Sequence, residues 1–163
     1  MIEVHKNLFV GSEQDERSIR GETGWFVVHA CKEPYHRQAL GYTGRAASKD
    51  HPEYLIARRP GRIILNLVDV ADVRYVAVEI VDAALGDIHS NIAMSRVLIH
   101  CNQGLSRSPS IAFLYLVKFT DVFSRRDHQE DLKQFVTLYP PYAPAQGMAD
   151  FIKLNWKTYA DRT

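Results

Sequence analysis

Apolar residues along this chain keep two different rhythms. Short apolar-rich runs near 2–10, 25–30, 62–68 and 96–100 have the length and β-branched content of buried strands. Elsewhere the spacing shifts to three and four, which predicts helices over 13–20, 73–90, 108–121, 127–138 and 145–160. Val73, Val76, Ile80, Leu85 and Ile88 form one such stripe. Strands alternating with helices predict an α/β fold: a mostly parallel central sheet of about four to five strands, flanked by helices. The stretch from Lys32 to Gly61 holds Pro, Gly and His with few periodic apolar positions. It predicts a long loop with a short helix in it, of the kind that borders functional sites.

Bulk properties narrow the setting. A chain of 163 residues with 46% hydrophobic content suits one domain over 1–163 with ample core. A formal charge of +1 gives no nucleic-acid footprint. The clusters Arg58-Arg59-Arg62 and Arg125-Arg126 read as solvated surface, with docking as the alternative. Two cysteines, no signal-peptide pattern and no apolar run near 18 residues predict a soluble cytoplasmic protein without membrane contact. Monomer is the default state. Seven histidines lack metal-ligand spacing and no Cys-x2-Cys pair occurs, so neither a metal nor another cofactor is expected.

The sharpest chemistry lies in His100-Cys101-Asn102-Gln103-Gly104-Leu105-Ser106-Arg107-Ser108. The apolar run Val97-Leu98-Ile99 precedes it and a helical pattern begins near Pro109. Strand, tight loop and helix N-terminus together make an anion site from backbone N–H groups and the helix's positive end. A thiol beside such a terminus and a guanidinium ionises more readily than a free one, and the thiolate is the nucleophile. Arg107 offers a bidentate grip on two oxygens that lysine cannot imitate. Gly104 permits a sharp turn, and Ser108 can hydrogen-bond the sulfur as it departs. Phosphoryl transfer to Cys101 suits this set better than the bland alternative, a small cysteine packed at a strand end.

The run His100-Cys101-x5-Arg107-Ser108 resembles the signature of the cysteine-dependent protein tyrosine phosphatases. The Gly-x-Ser-Arg-Ser ending and Leu114-Tyr115-Leu116 are most similar to the dual-specificity branch. Ile2-x5-Leu8-Phe9-Val10-Gly11-Ser12 is similar to that branch's opening strand-turn, and Trp25 to Ala30 to its second core strand. Leu138-Tyr139-Pro140, Pro144 and Gly147-Met148-x2-Phe151 echo its C-terminal turn and last helix. The likeness is strong over 63–117 and weak over 31–62.

The resemblance implies a phosphatase that passes through a cysteinyl-phosphate, with phosphate held by Asn102, Gln103, Gly104, Leu105, Ser106 and Arg107. His100 would position the cysteine. Such a reaction needs a proton donor for the leaving oxygen. Asp69 comes after an apolar strand at the end that faces a ligand crevice in open α/β sheets, at a spacing before Cys101 typical of the family's acid. Asp72 is the competing candidate, and it also reads as the N-cap of the helix after it. Cys31 ends the second core strand, where relatives place a cysteine that captures the oxidised nucleophile; a packed structural residue is the other reading.

The implied partner is a phosphorylated protein, carrying phosphotyrosine or also phosphoserine and phosphothreonine, since the segment Lys-Asn-Arg-Tyr that deepens strictly tyrosine-specific pockets is missing. Neutral residues at 102, 103 and 105 count against a polyphosphorylated inositol lipid. An RNA 5′-phosphate and an inactive phosphate-reading module remain as alternatives. Tyr35, His36 and Arg37 would either line the pocket or sit on a solvated loop.

Overall fold

The computed structural model describes residues 1–162. Six strands form one sheet in the order β1-β2-β6-β3-β5-β4. They are β1 (Ile2–His5), β2 (Leu8–Gly11), β3 (Trp25–His29), β4 (Ile56–Arg59), β5 (Arg62–Leu65) and β6 (Arg96–His100). The inner four are parallel, while β1 and β4 run antiparallel at the two edges. The run near 2–10 is therefore a hairpin rather than one strand, turned at Asn7 in the left-handed region (φ 65°). With β4 added, the sheet exceeds the expected four to five strands.

Among the described residues, six α-helices surround it: α1 (Glu13–Ile19), α2 (Arg37–Leu40), α3 (Val78–Asn91), α4 (Arg107–Phe119), α5 (His128–Leu138) and α6 (Gln146–Ala160). Alternation along the strands divides the sheet into two faces. Val28, Val97 and Ile99 join the main core with α3, α4 and α6, whereas Val27, Leu98 and His100 are set by that alternation toward the α1 side. Ser108 to Val117 of α4 is buried all round, so this helix is the central one. Its own Phe113, with Phe135 of α5 and Phe151 of α6, is fully buried. Truncating one of them to alanine is expected to cost about 3–5 kcal/mol.

Helix starts obey sequence chemistry. Ser12 and Asp15 form a capping box at α1, and Asp127 caps α5. The periodic stretch from Val73 breaks in two, a short 3-10 turn (Val73–Tyr75) and then α3 from Val78. Asp72 caps that turn, accepting from Arg74 N at 2.9 Å, not the long helix. Among the described residues, no helix is long and apolar enough to cross a membrane.

Candidate active site

The loop after β6 sits where four parallel strands end, between β2 and β3. Most of its carbonyl groups are tied outward. Asn102 O accepts Glu13 N at 3.3 Å, Gly104 O accepts the Tyr139 hydroxyl at 2.7 Å, and Leu105 O accepts Ala143 N at 2.8 Å. His100 Nδ1 lies 3.4 Å from Cys101 O. The amides of residues 102–106 have no partner among the described residues. Ser106 occupies the N-cap of α4 yet makes no side-chain capping bond, which leaves Arg107 N open, while Ser108 N points at Cys101 Sγ and Pro109 has no N–H. A loop with bound carbonyls and unbound amides at a helix N-terminus is built to take an anion.

Gly104 makes that loop geometrically possible. Its φ is +74°, and a Cβ there would lie 2.9 Å from the Gly11 carbonyl carbon and oxygen.

Cys101 is 2% exposed, with Sγ 3.1 Å from Ser108 Oγ and 3.5 Å from Ser108 N. Ser108 Oγ is also 3.1 Å from Gly11 O. A hydroxyl carries one hydrogen, so it donates either to the carbonyl, while accepting from S–H, or to a thiolate. Arg107 is fixed in place: Nη1 donates to Leu67 O at 3.0 Å and Nη2 to Asn102 Oδ1 at 2.8 Å. Its buried Nε has no partner among the described residues.

The two acidic candidates part company here. Asp69 lies at the loop, with Oδ1 accepting Ser106 Oγ at 2.8 Å. Asp72 is committed elsewhere: its carboxylate grips the Arg74 guanidinium at 2.7 Å, which holds it below the usual carboxylate range. Gly147 N donates to Val70 O at 3.0 Å and so pins the backbone next to Asp69; a Cβ on Gly147 would strike that oxygen at 2.3 Å.

Behind the loop, His100 Nε2 lies 2.6 Å from His29 Nδ1, and the Tyr35 ring stacks on His29 at 4.5 Å. Burial pushes His100 down to about 4. Cys31 is a free thiol at the end of β3, in one buried cluster with Tyr35 and Cys101. Burial pushes it up to about 12. Tyr35 and His36 are buried, and Arg37 pairs with Glu33 at 2.8 Å, so the first two face the interior rather than an open pocket. The site residues not singled out from the sequence are His29, Glu13, Ala143 and Ala145, all reached through distant contacts. Among the described residues, no group of three or more His, Cys, Asp or Glu could hold a metal ion.

No family model and no curated protein matches the sequence. Solved structures do match in shape. The PTP-2 phosphatase of Cydia pomonella shares 16% identity at a TM-score of 0.59, over 94% of this chain and 88% of its own. The human tyrosine phosphatase-like serine/threonine/tyrosine-interacting protein shares 13% at 0.61, over 98% and 97%. OH1 from the Orf virus, described as a tyrosine phosphatase with triple substrate specificity, shares 15% at 0.57, over 98% and 86%. The chain has the fold of the dual-specificity tyrosine phosphatases. At these identities the likeness concerns fold alone, and one neighbour is named only phosphatase-like. Activity must be argued from the residues.

Proposed function

We propose that this chain is a phosphoprotein phosphatase acting on phosphotyrosine, with phosphoserine and phosphothreonine as further substrates. The observation that carries this reading is the pairing within one loop: unpartnered amides that fit a phosphate, closed around a cysteine and roofed by Asp69 through Ser106.

Cys101 attacks phosphorus in line, and the loop amides with Arg107 stabilise the equatorial oxygens. Arg107 keeps its Nε hydrogen and one hydrogen on each Nη for this purpose. Asp69 protonates the leaving oxygen, then as carboxylate takes a proton from the water that hydrolyses the cysteinyl-phosphate. As the sulfur leaves, the Ser108 hydroxyl turns from Gly11 O to donate to it. Protein groups supply the charge stabilisation this reaction needs. Cys31, kept as a thiol by burial, serves as the redox partner: hydrogen peroxide oxidises the Cys101 thiol to Cys101–SOH and leaves as water, then Cys101–SOH and Cys31–SH condense to a disulfide and release a second water.

The loop presents no cation besides Arg107, which supports a single phosphoester over a crowded anionic lipid. Turnover measured side by side on phosphotyrosine and phosphothreonine peptides, a phosphoinositide and 5′-phosphorylated RNA tests the reading. Peptides are expected to be hydrolysed fastest, without loss of rate in EDTA. Cys101→Ser is expected to abolish turnover while retaining phosphate binding. Turnover of lipid or RNA alone overturns the substrate, and turnover by Cys101→Ser overturns the mechanism.

A further inference from the structure

The His100–His29 contact runs between two rings that are both buried, 0% and 1% exposed. Their partners dictate which nitrogens carry hydrogens. Cys101 O can only accept, so His100 Nδ1 must bear a hydrogen to bond it. Burial keeps His100 neutral, so its Nε2 is bare and accepts from His29 Nδ1–H. Burial, together with His100 and the Arg62 and Arg20 guanidiniums, pushes His29 down to about 2, and its Nε2 has no partner among the described residues. One direction of donation runs through both rings to the nucleophile's own carbonyl.

We infer that His29 is a positioning residue, selecting the His100 tautomer that turns the Cys101 carbonyl away from the phosphate site. The inference rests on the phosphatase reading and names a residue that reading does not use. Without the His29 donor, only the long 3.4 Å bond to Cys101 O holds the hydrogen on Nδ1 against the Nε2–H tautomer that a neutral imidazole prefers. In that tautomer Nδ1 presents a lone pair to the Cys101 carbonyl, and that peptide loses its anchor. The surrounding groups leave no substitute donor for Nε2. Tyr35 meets His100 edge-on at 4.9 Å, but its hydroxyl is given to Glu16 at 3.1 Å. Glu16 accepts from Arg20 as well, and Arg107 is held by Leu67 and Asn102. Arg62 lies on β5, a strand further off.

Imidazole nitrogen NMR of the full chain, with steady-state kinetics on an aryl phosphate, tests this. The wild type is expected to show His100 protonated at Nδ1. His29→Leu and His29→Gln are expected to move the hydrogen to Nε2 and lower kcat about tenfold, with KM little changed. In His29→Asn the amide NH2 falls where Nδ1–H stood, and it is expected to restore both the tautomer and kcat. If the leucine variant does not fold, the asparagine and glutamine variants decide. An unchanged tautomer in the glutamine variant, or asparagine no better than glutamine, overturns the inference. The tautomer is read without turnover. A wild type that hydrolyses nothing but shows the expected nitrogens therefore overturns the phosphatase reading and, with it, the role in catalysis.

Discussion

The Ser106 hydroxyl donates to Asp69 Oδ1 at 2.8 Å and accepts the amide of Ala145 at 2.9 Å. One side chain thus ties the proposed acid, the phosphate loop and the approach to the last helix together. Removing the acid is expected to matter most when the leaving group is poor. Asp69→Asn should slow an alkyl phosphate by about 100-fold or more, and a nitrophenyl phosphate less. Asp72→Asn should spare both. Rates on the two esters check this, and the reverse order would move the acid to Asp72.

Gly104 permits no side chain. Gly104→Ala must carry positive φ and push a Cβ against Gly11. A stability loss of about 1–3 kcal/mol is expected from the strained backbone, together with loss of phosphate binding. Urea denaturation and phosphate titration measure the two effects separately.

Oxidation should be reversible only with Cys31 in place. After peroxide and then a reducing agent, the wild type is expected to recover most of its activity and Cys31→Ser much less. Equal recovery would return Cys31 to a packing role.

The paired histidines make stability fall in acid. Their folded values, about 4 for His100 and about 2 for His29, lie below the ordinary 6.5. Below pH 6.5 the unfolded chain takes up protons that the folded one refuses, so unfolding becomes easier as pH falls. The loss continues until the folded rings titrate too, near 4 for His100 and lower for His29. A slope of about 1.4 kcal/mol per pH unit for each ring, approaching about 3 for the two together, is expected between 6.5 and 4. Urea midpoints across this range measure it, and His29→Asn should flatten the curve.

Cys101, Arg107 and Ser108 were legible because a strand, loop and helix start are local patterns that one segment can carry. Asp69 was legible as a strand-end carboxylate, though its bond to Ser106 was not. The strand β4 was hidden. Ile56–Arg59 buries only Ala57 fully, and its strand character comes from pairing with β5 across the Pro60-Gly61 turn. The 3-10 turn was masked by the apolar stripe that runs through it into α3. His29 could not be read as a partner of His100, since the two meet only because β3 lies beside β6. The segment from 32 onward buries Tyr35 and His36 through contacts no periodicity announces.

The backbone contacts of residues 143–147 carry a consequence for how the protein is made. Ala143, Ala145 and Gly147 fasten Leu105, Ser106 and Val70. A ribosome releases the nucleophile and its acid long before it releases these fasteners. A nascent chain halted before them holds every reactive group but not the clasp that brings acid and loop into register. On the proposed function, acid and loop therefore come into register only once the start of α6 has folded onto them.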